Sequence, residues 1–227
     1  CDFLDETAYN KVTVGNFYTT KDGITNGVNG LYSTLRGMYI QEYLIYMCEG
    51  PSDIWIGHQG HEQWYNWTID ATNADVRSFW YSCYKSVNQC NAVIESLENN
   101  DIPGLDEDLK TRFLAESLFI RAHYFYHLVQ QFGDIPMPLK PTNSVETTAH
   151  KTKVDEVWNQ IVTDLEFAVE NLPETYQASE FGHITKYAAM HHLSRVYLTL
   201  KRSDDDLKKA LNYAEQVINS GKYSLVK

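Results

Sequence analysis

The segment near residues 106 to 132 restricts the fold more than any other, because a helix there is apolar on almost every side. Its large apolar side chains are Phe113, Leu114, Leu118, Phe119, Ile120, Tyr124, Phe125, Leu128 and Val129. A helix without a polar face is stable only when other elements surround it. Gly133 and Pro136 are typical of the chain just beyond a helix end. The sequence therefore predicts a central helix with the remaining chain packed around it.

Five further segments repeat apolar residues at helical spacing. They predict amphipathic helices over residues 24–39, 76–97, 154–172, 187–200 and 207–218. The last two together have the length of one tetratricopeptide unit, about 34 residues. No alternation of strand and helix patterns accompanies them. We therefore expect an all-α fold of tetratricopeptide-like stacked helical hairpins with long irregular loops, forming one domain over residues 1–227.

Three of these helices are predicted to begin at a Ser or Thr that is followed three residues later by Asp. The pairs are Thr72 with Asp75, Thr152 with Asp155, and Ser203 with Asp206. At this spacing the side chains can accept hydrogen bonds from the free N–H groups of the first turn. A fourth helix is predicted to begin after Thr185.

The charge of the chain argues against one broad class of partner. The formal net charge is -11, so the sequence predicts no surface that neutralises nucleic-acid phosphates. No apolar stretch reaches the roughly 20 residues that a membrane-spanning helix needs. We therefore expect a body that stays in water and contacts a membrane only through a lipid anchor.

Among the four cysteines of the chain, two different roles are expected. Cys83 and Cys90 are about 10 Å apart along a predicted helix, too far for a disulfide, and are expected to be small buried side chains. Cys48 has no obvious partner. Cys1, followed by a polar stretch, is typical of a bacterial lipoprotein after signal-peptide removal, although an arbitrary starting point is the alternative. We expect acyl chains on Cys1 and an extended tether over residues 1–20.

Several sequence blocks spread over nearly the whole chain carry a family resemblance. Residues 113–141 read FLAESLFIRAHYFYHLVQQFGDIPMPLKP, and residues 79–97 read FWYSCYKSVNQCNAVIESL. Later blocks read VWNQIVTDLEFAVENLP, TKYAAMHHLSRVYL and ALNYAEQVINSGKYSL, and the chain opens with CDFLDE. In this order the blocks resemble the SusD/RagB family. Two positions depart from its pattern, since Ser117 stands in place of Ala and His183 in place of Arg.

The resemblance implies a non-catalytic lipoprotein at the cell surface, attached to the outer membrane of a Gram-negative bacterium. Such a protein binds an oligosaccharide or polysaccharide and passes it to a TonB-dependent, SusC-like outer-membrane barrel. The family pattern continues beyond residue 227, so the chain is similar to the amino-terminal part of a family member. No cofactor is implied, and the glycan is not identified.

Residues 48–71, named here the aromatic segment, contain three of the five Trp residues. Several Gly and Pro residues argue against a long helix there. Aromatic rings can cover the apolar face of a sugar while polar side chains bond its hydroxyls. The residues expected to contact a glycan are Trp64, Trp67, Tyr65, Asn66, Asp53, Trp55 and His58. Trp64 and Trp67 are the favoured pair, and the alternative is that these rings pack the segment onto the helices.

Two other function classes stay open at this point. A glycosidase needs two carboxylates across a cleft, and Asp53 with Glu62 form the only such pair near the aromatic rings. A helical-repeat scaffold that binds a protein or peptide is the second alternative.

Glu116, His123 and His127 share one predicted helix face, but nothing identifies further ligands, so we expect no metal. Trp80 and Trp158 lie on apolar helix faces and are expected in the core.

Overall fold

The computed structural model describes residues 17–52, 60–142 and 148–224. Within these ranges the protein is helical, and extended pairing is limited to one bridge between Ile135 and Thr152. The α-helices are α1 (Lys21–Ile40), α2 (Glu42–Glu49), α3 (Glu62–Tyr65), α4 (Ala74–Asn99), α5 (Glu107–Phe132), α6 (Val154–Asn171), α7 (Lys186–Leu200) and α8 (Asp204–Asn219). A 3-10 turn covers Ala178–Glu180. The predicted all-α fold is confirmed, although the sequence does not predict the short helices α2 and α3.

Helix α5 occupies the centre of the fold, as its sequence predicts. It packs against α1, α4 and α6, so three elements cover its surface. Ile120, Phe125 and Leu128 have no exposed surface at all. The burial of so many large apolar side chains is the main stabilising contribution to the fold. Gly133 follows the helix with a φ of 68°, a conformation that favours glycine and ends the helix.

The helices from α4 to α8 stack in the order in which they follow one another. Contacts join α4 to α5, α5 to α6, α6 to α7 and α7 to α8. In the last pair the rings of Tyr197 and Tyr213 stack, with their centroids 6.2 Å apart. The Ser194 hydroxyl donates to the Ala210 carbonyl at 2.7 Å, which lets the two helix backbones approach closely. Neighbour-to-neighbour packing of this kind confirms the predicted tetratricopeptide-like hairpins.

A buried polar network ties α4, α5 and α6 together. Arg121 donates from Nε and Nη2 to the two carboxylate oxygens of Asp164, each at 2.8 Å, and from Nη1 to the Asn91 side-chain oxygen at 3.1 Å. Gln160 also donates to Asp164 at 2.8 Å. Burial raises the pKa of Asp164, while Arg121 and Gln160 act in the opposite direction. Because every member has partners, the network does not carry the cost of an unpaired buried charge.

The connection after α5 is held against α4 and α6 by hydrogen bonds to its backbone. The Asn91 amide donates to the Pro138 carbonyl at 2.8 Å, and the Tyr84 hydroxyl donates to the Pro136 carbonyl at 2.6 Å. Near the start of the connection, Asp134 accepts from the backbone N–H of Val154, the first residue of α6, at 3.0 Å. Asp134, which is distant from α6 in the sequence, therefore provides the hydrogen-bond acceptor for a free N–H group in the first turn of α6.

Two of the predicted helix starts are wrong, and the reason lies in which side chain reaches the first turn. Helix α6 has Lys153 at its N-cap without a side-chain cap, because Asp134 supplies the acceptor instead of Thr152. Helix α4 is capped by Asn73, which accepts from the second and third residues after it, and not by Thr72. The caps at Thr185 and Ser203 are confirmed.

The predicted features at the amino-terminal end are only partly described. Cys1 and residues 1–16 of the predicted tether lie outside the described residues. Helix α1 begins after Thr20, whose hydroxyl accepts from the Gly23 backbone at 3.1 Å. None of the described helices has the length and apolar composition needed to cross a bilayer.

The predicted burial of two cysteines is confirmed. Cys83 and Cys90 are both buried and free of disulfides, and burial raises the pKa of each thiol to about 12. At neutral pH both remain protonated and unreactive. Cys48 is also a free thiol, but it is exposed.

Candidate functional site

The described part of the aromatic segment is built around one short helical turn, α3, which is followed by an irregular stretch that leads into α4. Asp53, Trp55 and His58 were predicted to contact a ligand, and they lie outside the described residues. The residues that can be compared with the prediction are therefore Trp64, Tyr65, Asn66 and Trp67.

Trp64 is buried, with only 3% of its surface exposed, so the predicted role in stacking on a ligand does not fit its position. Its Nε1 donates to the carboxylate of Asp75 at 3.3 Å, and its ring lies parallel to that of Tyr46 with centroids 6.1 Å apart. Gly50 gives it room, because a Cβ added there would lie 3.1 Å from the Trp64 Cβ. Trp64 fastens the segment to the helices.

Trp67 differs from Trp64 in both exposure and backbone conformation. Its side chain is 74% exposed, so one face of the indole is open to a ligand. Its φ of 56° lies in the left-handed region, which is uncommon for a bulky side chain. Such conformations cost free energy and are frequent at functional sites. The role of Trp67 as a sugar-stacking platform stays a prediction, and its exposure makes the ring accessible for it.

Polar residues precede and follow Trp67 in the sequence. Asn66 is exposed beside it and Tyr65 is half-buried. Asp70 accepts from the hydroxyl and the backbone N–H of Thr72, and these hydrogen bonds lower the pKa of its carboxyl. Glu62 accepts from the Gly60 backbone at 3.0 Å. Within a few residues of Trp67 along the chain, the segment therefore carries carboxylate, amide and hydroxyl groups, the groups that hydrogen-bond sugar hydroxyls.

The flanking helices hold this stretch in place through residues that sequence reasoning missed. The ring of His61 stacks on Tyr46 of α2, with centroids 4.1 Å apart and planes 15° from parallel. His61 Nδ1 also lies 3.6 Å from Asp75 of α4. Asn73 donates to the Gln63 side chain at 3.0 Å. A sequence signal existed for Asp75, since an acidic residue in the first turn of a helix is available to a neighbouring donor.

The histidines on α5 belong to an aromatic cluster. The His123 ring centroid lies 4.8 Å from that of His127 and 5.0 Å from that of His192 on α7. The Tyr39 hydroxyl lies 2.8 Å from His123 Nε2. Burial lowers the pKa of His127 to about 4 and that of His192 to about 3, so these rings are neutral near pH 7. Among the described residues no group of three or more His, Cys, Asp or Glu is placed to hold a metal ion.

Glu116, which shares a helix face with those histidines, has different partners. It is fully buried, and its carboxylate accepts from Tyr32 at 2.7 Å and from Tyr176 at 3.2 Å. The Nδ1 atom of His183 also lies 2.9 Å from this carboxylate. His183 is the residue that departs from the family pattern. In this chain it still pairs with a buried carboxylate and holds the connection between α6 and α7 against α5.

The Trp80 and Trp158 side chains lie where the sequence predicts. Trp158 is buried on α6, and its ring meets Tyr126 edge-on at a centroid distance of 5.8 Å. Trp80 is half-buried and packs against the core, with its ring edge-on to Phe132 at 4.8 Å. Of the Trp side chains within the described residues, Trp67 is thus the one that is largely exposed.

Comparison with known proteins agrees with the fold and the sequence blocks. A family profile described as SusD-like, starch-binding and associating with the outer membrane matches residues 2–198. SusD-like protein P2 of Formosa agariphila is 28% identical over 228 residues, a match that covers 97% of this chain and 43% of that protein. A SusD-like protein of Bacteroides ovatus is 25% identical over 237 residues, which cover 96% of this chain and 41% of the relative.

A solved structure described as a laminarin-binding SusD-like protein also matches. It is 25% identical, has a TM-score of 0.74, and is matched over 88% of this chain and 44% of its own. The chain thus spans less than half the length of the relatives it matches. Because the family profile matches residues 2–198, which make up most of the sequence, the chain belongs to the SusD-like family.

Proposed function

We propose that this protein binds an oligosaccharide or polysaccharide at the cell surface without cleaving it. The observation that carries the proposal is Trp67, which is 74% exposed and has a left-handed backbone conformation. An exposed aromatic face of this kind buries the apolar side of a sugar ring, while neighbouring side chains bond the hydroxyls. The family description and the laminarin-binding relative support the same ligand class.

We further propose that the ligand is delivered to a TonB-dependent, SusC-like outer-membrane barrel. The description of the family as associating with the outer membrane supports this location. Acylation at Cys1 is the proposed attachment, and it leaves the helical body in water. Replacing Cys1 with Ala, behind a restored signal peptide, should move the protein from the membrane fraction to the periplasmic fraction. Unchanged fractionation with membranes would refute the lipid attachment.

The ligand proposal is tested by migration in native gels that contain starch, laminarin or xyloglucan. We expect retardation by at least one polysaccharide and an affinity roughly tenfold lower after Trp67→Ala, since truncation of a central contact at a binding surface commonly costs a tenfold change or more. Tyr81→Ala is the matched control, because Tyr81 is an exposed aromatic residue on α4, 67% exposed.

Three outcomes separate the alternatives. Retardation that is lost in Trp67→Ala and kept in Tyr81→Ala supports the proposal. Equal loss in both variants, or none in either, removes the aromatic segment as the site. Release of new reducing ends during incubation would favour the glycosidase alternative, for which the Asp53–Glu62 pair stays a prediction because Asp53 lies outside the described residues.

A further inference from the structure

Four glycines lie in α1, and packing within the described chain accounts for two of them. A Cβ added to Gly23 would lie 1.6 Å from the Phe17 carbonyl oxygen, and one added to Gly27 would lie 2.5 Å from a ring carbon of Tyr18. At Gly30 and Gly37 an added Cβ would meet no atom of the described residues within 4 Å. Glycine in a helix interior is less stable than alanine. The two unexplained glycines therefore face open space at a cost to the helix.

That open space is a groove between α1 and α4, with a volume of about 540 Å³. Its lining residues are Gly30, Ser33, Thr34, Gly37, Met38, Gln41, Tyr43, Ser82, Lys85, Ser86, Gln89 and Tyr124. Buried side chains of α1, α4 and α5 lie at its base, among them Met38 and Tyr124. The volume lies within the range of small-molecule sites, roughly 300 to 1,000 Å³. We name it the α1–α4 groove.

The chemistry of this lining differs from that of the chain as a whole. The formal net charge of the protein is -11, yet among the described residues no Asp or Glu lines the groove and one Lys does. Hydroxyl and amide side chains make up most of the remainder. The Tyr124 hydroxyl donates to the Thr34 hydroxyl at 2.8 Å, so these two groups form a hydrogen-bonded pair in the groove wall.

One atom of the lining has a hydrogen-bonding need that the described chain does not meet. The side-chain oxygen of Gln89 is buried and has no hydrogen-bond partner among the described residues. A buried acceptor without a donor costs free energy. Gln89 lines the groove, so a rotation of its side chain would bring this oxygen within reach of a ligand hydroxyl.

We propose that the α1–α4 groove binds an acidic sugar unit, as a second glycan site separate from Trp67. The carboxylate of a uronate pairs with Lys85, and a ring hydroxyl donates to Gln89. The absence of side chains at Gly30 and Gly37 lets the sugar ring approach the backbone of α1. The inference rests on the proposed glycan-binding function, and it adds a preference for anionic glycans.

The test is a titration of the 227-residue protein with methyl β-D-glucuronide and with methyl β-D-glucoside, followed by backbone amide NMR. The two probes differ only at C6, which is a carboxylate in the glucuronide and a hydroxymethyl group in the glucoside. We expect amide shifts within residues 30–37 and 82–89 and an affinity roughly threefold to tenfold higher for the glucuronide. The modest ratio reflects the exposure of Lys85, where solvent weakens a charged hydrogen bond.

Two variants identify the groups responsible. Lys85→Gln should abolish the preference for the glucuronide, whereas Lys208→Gln, at an exposed position on α8 outside the groove, should leave it unchanged. Gly37→Leu should abolish binding of both probes, because its side chain occupies the groove, with no close contact at its Cβ. Retained thermal unfolding shows that this variant still folds.

Equal affinities for the two probes, or glucuronide-induced shifts confined to other residues, would overturn the inference. The proposed function is judged separately, since Trp67→Ala should weaken polysaccharide binding in gels and leave the glucuronide shifts of the groove unchanged. Failure of the monosaccharide titration with normal gel retardation therefore refutes the groove alone. Failure of the gel assay alone refutes the role of the aromatic segment.

Discussion

Trp64 and Trp67 are three residues apart, yet 3% of the first side chain and 74% of the second is exposed. The buried indole holds the segment against α2 and α4, and the exposed indole is available to a ligand. Stability and binding are thus assigned to different aromatic residues of one short segment. Substitutions at the two positions should separate the two properties.

Trp64→Ala should destabilise the protein by about 3–5 kcal/mol, the range for truncating a large buried aromatic side chain. The loss combines the packing on Tyr46 and the hydrogen bond to Asp75. Urea unfolding followed by circular dichroism measures the change in the free energy of unfolding. A loss below about 1 kcal/mol would mean that the indole does not hold the segment in place.

Trp67→Gly should leave the protein as stable as before or up to about 1 kcal/mol more stable, because glycine adopts a positive φ without strain. The same substitution should remove polysaccharide binding. Thermal unfolding and native gels report on the two effects. A clear loss of stability would show that Trp67 packs in the folded state and is not a free platform.

The Arg121–Asp164 pair should be far more sensitive to single than to double replacement. Arg121→Met and Asp164→Leu should each cost about 3–5 kcal/mol, because each leaves a buried charge without its partner. Introduced together they should cost less than either alone. A double-mutant cycle in urea measures this coupling, and additive losses would contradict it.

Stability should fall as the pH decreases from about 6.5 towards 4. His127 and His192 have folded-state pKa values of about 4 and about 3, below their usual value, because burial disfavours the charged rings. In this interval the unfolded chain binds more protons, so each such histidine contributes a slope of up to about 1.4 kcal/mol per pH unit.

The contribution of one histidine is isolated by comparing variants across that pH interval. His127→Gln should reduce the slope, and His191→Gln, at an exposed neighbouring position on α7, should leave it unchanged. The measurement is the free energy of unfolding in urea at each pH. Identical slopes for the wild type and His127→Gln would show that His127 does not contribute to acid sensitivity.

Gly27 and Gly30, three residues apart on α1, should respond oppositely to alanine. Gly30→Ala should stabilise the protein by about 0.5–1 kcal/mol, since its Cβ meets open space. Gly27→Ala should destabilise it, because the Cβ would lie 2.5 Å from the Tyr18 ring. Thermal unfolding compares the two, and a shift of the same sign in both would contradict the packing described for α1.

The sequence predicts the central helix and the stacked hairpins because the apolar side chains that each helix buries are found within its own segment. It does not predict the start of α6, because the group that caps Val154 belongs to Asp134, on the other side of the connecting segment. Nor can it separate Trp64 from Trp67. Which indole is buried depends on how the single turn α3 meets Tyr46 and Asp75, and those contacts arise only in the folded chain.

The network of Asn91, Arg121 and Asp164 has a consequence for how such a chain can change over generations. Its members come from three helices, and Asn91 and Arg121 are 30 residues apart along the chain. Replacing one of them leaves the others buried without a polar partner, whereas simultaneous replacement of the partners keeps the helices packed together. Substitutions at these positions are therefore tolerated only in combination, even though the codons concerned lie in separate parts of the gene.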